Sequence, residues 1–119
     1  MDFQELKNKM QMTLKEMGKF FNIPYRTIQD WSAGVRTLAP YILSLMNYKW
    51  EHKDSSEVVE EVANFQELKE KMNFPLTKIS EYFGIFYKNV QKWNTGRAVV
   101  PDYVISLMNY KWECENKKI

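Results

Sequence analysis

The apolar residues of this chain recur at helical spacing, in short runs separated by turn-forming residues. In "DFQELKNKMQM", Phe3, Leu6 and Met10 share one face, and Asp2 stands before them as an N-cap. "TLKEMGKFF" begins at Thr13 and carries Glu16 three residues later. That spacing lets the two side chains satisfy two free backbone donors reciprocally. Leu14, Met17 and Phe21 form its apolar stripe. "NIP" then interrupts: Asn22 tolerates a left-handed backbone, and Pro24 suits the start of a new helix. "YRTIQDWSA" is short and stops at Gly34. "VRTLA" reads as a loop, and Pro40 starts "YILSLMNYKWEHK", with Ile42, Leu45, Met46 and Lys49 along one side. No segment alternates convincingly over six residues, so no sheet is expected.

The same plan returns further along. "FQELKNKM" at Phe3–Met10 becomes "FQELKEKM" at Phe65–Met72, and "IPYRTIQDWSAG" at Ile23–Gly34 becomes "IFYKNVQKWNTG" at Ile85–Gly96. "SLMNYKWE" at Ser44–Glu51 recurs unchanged at Ser106–Glu113. Overlaid without gaps at an offset of 62, residues 3–51 and 65–113 agree at 23 of 49 positions. Chance does not produce that agreement; the chain is a tandem duplication. The pattern predicts an all-α protein of two four-helix domains, residues 1–53 and 65–119, joined by a connector over 54–64. "EVVEEVAN" at Glu57–Asn64 is expected to form a helix that runs into the second unit, capped by Asp54 with Glu57.

Units this small bury little surface, and an aromatic content of 15% compensates for part of that. The single cysteine, Cys114, excludes an internal disulfide, and with one histidine, His52, it argues against a protein metal site. No apolar run approaches membrane-spanning length and no signal peptide opens the chain, which predicts a soluble protein of a reducing compartment. No paired carboxylates, phosphate loop or nucleophile with a base stand out, so neither an enzyme nor a cofactor is expected. Residues 1–53 carry eight Lys/Arg against five Asp/Glu, residues 54–64 four acids and no base, and residues 65–119 nine bases against six acids. Two mildly basic units flanking an acidic connector are compatible with nucleic acid without demanding it.

The centre of each unit, "LKEMGKFFNIPYRTIQDWSAG" and "LTKISEYFGIFYKNVQKWNTG", reads as helix, three-residue turn, helix, stop. Gly18 and Ser80 are small enough for the second helix to approach the first. Asn22 and Gly84 suit an unusual turn backbone, and Ile28 and Val90, with Trp31 and Trp93, lock the pair. These residues resemble the Cro/C1-repressor helix-turn-helix, the XRE family. "IPYRTIQDWSAGVRTLAP" fits its pattern from Ile23 to Pro40; "IFYKNVQKWNTGRAVVP" fits more loosely from Ile85 to Pro101, with Asn89 for Thr and Phe86 for Pro. The resemblance covers about 40 residues of each unit.

It implies two tandem lambda-repressor-like domains whose third helices, residues 25–32 and 87–94, lie in the major groove of double-stranded DNA. By position, the base-facing residues are Tyr25, Arg26, Gln29 and Asp30 in the first unit and Tyr87, Lys88, Gln91 and Lys92 in the second. Arg26 can donate twice to guanine, and Gln29 and Gln91 can pair with adenine. Asp30 either accepts from cytosine or orients Arg26. Tyr25 and Tyr87 either meet DNA or pack over the turn. Lys15, Thr27, Arg36, Lys78, Asn89 and Arg97 are the candidate phosphate contacts, with plain solvated surface the simpler reading of Lys15 and Lys78. Because Lys92 stands opposite Asp30, the two units are expected to read different sequences. The implied function is a transcriptional repressor or regulator of phage or mobile-element type, in the cytoplasm of a bacterial host. The rival class is a phage anti-CRISPR-like inhibitor that uses the same fold to bind a protein such as an effector nuclease.

The identity of "SLMNYKWE" has two explanations. Recent duplication is one. The other is a pseudo-twofold interface in which each residue serves twice, with Trp50 and Trp112 as its anchors. One chain would then imitate a dimer, or pair with a second copy, and present recognition helices about 34 Å apart.

Overall fold

Asp2 caps the first helix as its position predicts. Its carboxylate accepts from the Glu5 N–H at 2.9 Å, and Glu5 reaches back to the Asp2 N–H at 3.3 Å. Thr13 and Glu16 make the same reciprocal pair at 3.2 and 2.9 Å, and these bonds hold the Glu16 carboxyl below its ordinary pKa. In the computed structural model, which describes residues 1–53 and 60–116, such local signals set the helices of the first repeat. They are α1 (Phe3–Met10), α2 (Leu14–Phe21), α3 (Tyr25–Ala33) and α4 (Pro40–Glu51). The second repeat forms α5 (Phe65–Met72), α6 (Leu76–Phe83), α7 (Tyr87–Thr95) and α8 (Asp102–Asn116). Among the described residues there is no strand, and no helix is long and apolar enough to cross a membrane.

The connector departs from its expected form. Residues 60–64 are not helical, and Asp54 to Val59, with the expected cap of Asp54 and Glu57, lie outside the described residues. Asn64 is the reason the helix cannot run through. It is the N-cap of α5, accepting from the Glu67 N–H at 2.9 Å, and it holds an extended backbone with φ −156°. An N-cap ends whatever precedes it.

Each repeat buries the stripe its sequence predicts. Leu6, Met17, Phe21, Ile28 and Met46 are fully buried in the first, and Leu68, Ile79, Val90, Leu107 and Met108 in the second. The repeats then meet along α4 and α8. Their contacts come in matched pairs. Trp31 of α3 lies edge-on to Tyr103 of α8 at 5.9 Å, and Trp93 of α7 lies likewise on Tyr41 of α4 at 6.0 Å. Lys49 stands over the Tyr110 ring at 5.3 Å, and Lys111 over the Tyr48 ring at 5.5 Å. Exchanging the repeats exchanges the members of each pair, which is the rule of an isologous contact. Burial at this junction lowers the Lys49 pKa against the opposing pull of Glu61 and raises those of Tyr41 and Tyr103. Tyr48 is pushed up to about 12, by burial first and then by Glu115.

This arrangement accounts for the polar identities in "SLMNYKWE". Asn47 and Glu51 both hold Lys9 of α1, at 2.9 and 3.0 Å. Asn109 and Glu113 hold Lys71 of α5 in the same way, Asn109 at 2.8 Å and Glu113 by an ion pair. Lys49 and Lys111 bridge the repeats. Trp50 and Trp112, expected as anchors between the repeats, sit inside their own: Trp50 against Phe20 at 5.6 Å, Trp112 against Tyr82 at 5.6 Å and Phe74 at 5.2 Å. The ring contacts between repeats belong to Trp31 and Trp93 instead, because α4 and α8 turn Tyr41 and Tyr103, not their C-terminal tryptophans, toward the other repeat.

The two polar clusters differ in burial. Asn109 is 0% exposed and also donates to the Glu60 carbonyl at 3.0 Å, pinning the end of the connector; Asn47 is only half-buried. Asn109→Ala is therefore expected to lower stability by about 1–2 kcal/mol, since it removes a fully buried side chain bonded to Lys71 and to the Glu60 carbonyl, while those two groups keep each other and Lys71 keeps Glu113. Asn47→Ala should cost under about 1 kcal/mol. Urea denaturation of both variants checks this, and equal losses would contradict it.

Candidate nucleic-acid interface

Gly18 lies where α2 comes close to the turn into α3. A Cβ there would lie 3.1 Å from the Ile23 carbonyl oxygen. Ser80 takes the position in the second repeat and turns its hydroxyl to donate to the Ile85 carbonyl. Between the helices, Asn22 and Gly84 take left-handed backbones, φ 57° and 68°. That conformation is open to glycine and to asparagine among few others, so the turn predicted from the sequence has the backbone it requires. Ile28 and Val90 are fully buried beneath it.

With one side of each helix fixed inward, the other side is set. On α3, Tyr25, Arg26 and Gln29 are exposed, while Thr27 and Asp30 are half-buried. On α7, Tyr87, Lys88, Gln91 and Lys92 are exposed and Asn89 is half-buried. Lys15, Arg36, Lys78 and Arg97 are exposed. Tyr25 and Tyr87 are each nearly half open to solvent. Lys78 stands over the Phe74 ring at 5.2 Å, which ties it to its own repeat.

Asp30 is engaged with two cations. One carboxylate oxygen lies 3.7 Å from Arg26 Nε, one helical turn back, and the other 3.3 Å from Arg36 Nε. The Arg26 side chain stays 86% exposed beside Asp30. Arg36 reaches Asp30 because the chain folds back after Gly34, where the Val35 and Arg36 N–H groups both donate to the Asp30 carbonyl. In the second repeat the arginine is shifted by one position. Arg97 aligns with Val35, Ala98 stands where Arg36 was, and Lys92 replaces Asp30. The second face thus carries Lys88, Lys92 and Arg97 with no acid at the Asp30 position.

No family model, curated protein or solved structure matches this chain.

Two features of the site are not evident from motif reading. Gln4 of α1 donates to the Ser32 carbonyl and hydroxyl at 3.4 and 3.3 Å, and Gln66 of α5 donates to the Asn94 carbonyl and side-chain oxygen, both at 3.1 Å. Each first helix therefore ties down the C-terminal end of its third. The retention of Gln4 as Gln66 on an exposed surface was the available signal. The second feature is Phe86, exposed immediately before α7 where the first repeat has Pro24. Among the described residues, no group of three or more His, Cys, Asp or Glu is placed to hold a metal ion.

Proposed function

We propose that this chain binds duplex DNA in a sequence-specific manner and acts as a transcriptional repressor. In this reading it is a pair of XRE-like helix-turn-helix units with α3 and α7 in successive major grooves. The observation that carries the reading is the paired construction of the two helices. Each is held from behind by a buried aliphatic residue and a tryptophan, and each turns an exposed cation, Arg26 or Lys88, and an exposed amide, Gln29 or Gln91, to solvent. Those are the donors that read guanine and adenine edges. The matched contacts between the repeats support a dimer-like placement within one chain, and a repressor dimer presents its two recognition helices about 34 Å apart.

Duplexes selected from a random pool, bound over a series of salt concentrations, test it. Affinity should fall steeply, with a slope of about 0.9 per phosphate neutralised. Arg26→Ala and Lys88→Ala should each weaken binding by about five- to a hundred-fold at the base they read. Asp30→Asn should do the opposite to non-specific affinity: freed of its carboxylate, the first face gains cation strength and the salt slope steepens. Indifference to salt and to both alanine substitutions would sink the proposal. One observation favours a protein partner instead, namely that Asp30 draws on both Arg26 and Arg36 and leaves the first face less cationic. An inhibitor of that kind would bind with little dependence on salt.

A further inference from the structure

Phe86 is explained by neither packing nor backbone. It precedes α7 with φ −57° and ψ 133°, nearly the conformation of Pro24 before α3, φ −54° and ψ 135°. Proline suits those angles, so nothing in the chain's path calls for phenylalanine. Its side chain is 81% exposed, beside a Tyr87 that is 42% exposed. The rest of that face is Lys88, Gln91 and Lys92, suited to phosphates and to base edges. A bare aromatic ring at the tip of such a face gains nothing from phosphate. What a major groove offers to an apolar side chain is the 5-methyl group of thymine.

We propose that Phe86 reads a thymine methyl group in the half-site of the second repeat, with the Tyr87 ring beside it. This rests on the DNA-binding reading above. The first repeat lacks the device, since Pro24 stands in its place. The two half-sites differ accordingly: the first is read by donors, the second by donors and a methyl contact.

Uracil isolates the effect, because it pairs as thymine does and lacks only the methyl. Duplexes selected on the full chain are resynthesised with uracil for thymine, one position at a time, in the half-site whose preference Lys88→Ala erases. At one or two positions the wild-type affinity should fall about four-fold per methyl, the weight of one buried carbon group. Phe86→Ala should bind the thymine duplex about as weakly as the wild type binds the uracil one and be indifferent to the exchange. Phe86→Pro, which installs the residue of the first repeat in a conformation that accepts it, should behave the same and guards against a folding artefact. Salt-dependent binding with equal wild-type affinity for thymine and uracil overturns the assignment to Phe86 and leaves the DNA reading standing. So does a methyl preference that survives both substitutions. Failure to select any duplex removes the DNA reading and this inference together.

Discussion

Trp31→Ala is expected to destabilise the chain by about 3–5 kcal/mol, the range for emptying a large buried aromatic site, and to loosen both repeats. Trp31 is buried, with its ring 6.4 Å from Phe3 of its own repeat and 5.9 Å from Tyr103 of the other. It therefore fixes α3 on α1 and fixes the first repeat on the second. Trp93 makes the same two contacts, with Phe65 at 5.9 Å and Tyr41 at 6.0 Å, but is only half-buried. Trp93→Ala should accordingly cost less, about 2–3 kcal/mol. A double-mutant cycle separates the two jobs. Trp31→Ala and Tyr103→Ala should be non-additive by about 0.5–1.5 kcal/mol, the measured scale of an aromatic pair beyond its area. Urea denaturation of the two single variants and the double supplies the cycle. Strict additivity would mean that the edge-on ring pair contributes nothing to holding the repeats together.

That result bears on how much the sequence discloses. The starts of α1 and α2 were legible because their signals are local: Asp2 and Glu5 lie three residues apart, as do Thr13 and Glu16, and each pair bonds without help from the rest of the chain. The turn was legible for the same reason, since left-handed angles at Asn22 and Gly84 are a property of those residues. The roles of the tryptophans were not. Periodicity places Trp50 and Trp31 alike on inward faces, but which inward face meets the other repeat depends on how α4 crosses α8. Lys9 and Asn47 are likewise 38 positions apart, and nothing local announces their bond. The repeat itself held that information in coded form. Asn47, Lys49 and Glu51 each have a partner that recurs with them, Lys9 as Lys71 and Tyr110 as Tyr48. Residues 60–64 are not helical because Asn64, the N-cap of α5, takes an extended backbone that stops a helix from running into it.

The spacing of the two half-sites should matter more than any single side chain. The repeats are tied by two tryptophan–tyrosine pairs and two lysine–tyrosine pairs, so α3 and α7 move as one body while those contacts hold. Inserting five base pairs between the selected half-sites shifts one by about 17 Å and turns it to the opposite face of the duplex. A locked pair cannot follow. Affinity should then fall to that of one half-site, a loss of about a hundred-fold or more as the second contact ceases to be intramolecular. Inserting ten base pairs restores the face but sets the half-sites about 68 Å apart, beyond the 37 Å length of the molecule, so binding should stay weak. A flexibly tethered pair would recover at ten. The double variant Tyr41→Ala/Tyr103→Ala, which removes both aromatic ties, should bind the original site less tightly and suffer a smaller penalty from the five-base-pair insertion. Fluorescence anisotropy on the three duplexes reads all of these, and equal wild-type affinity for them would show that the repeats are not a rigid pair on DNA.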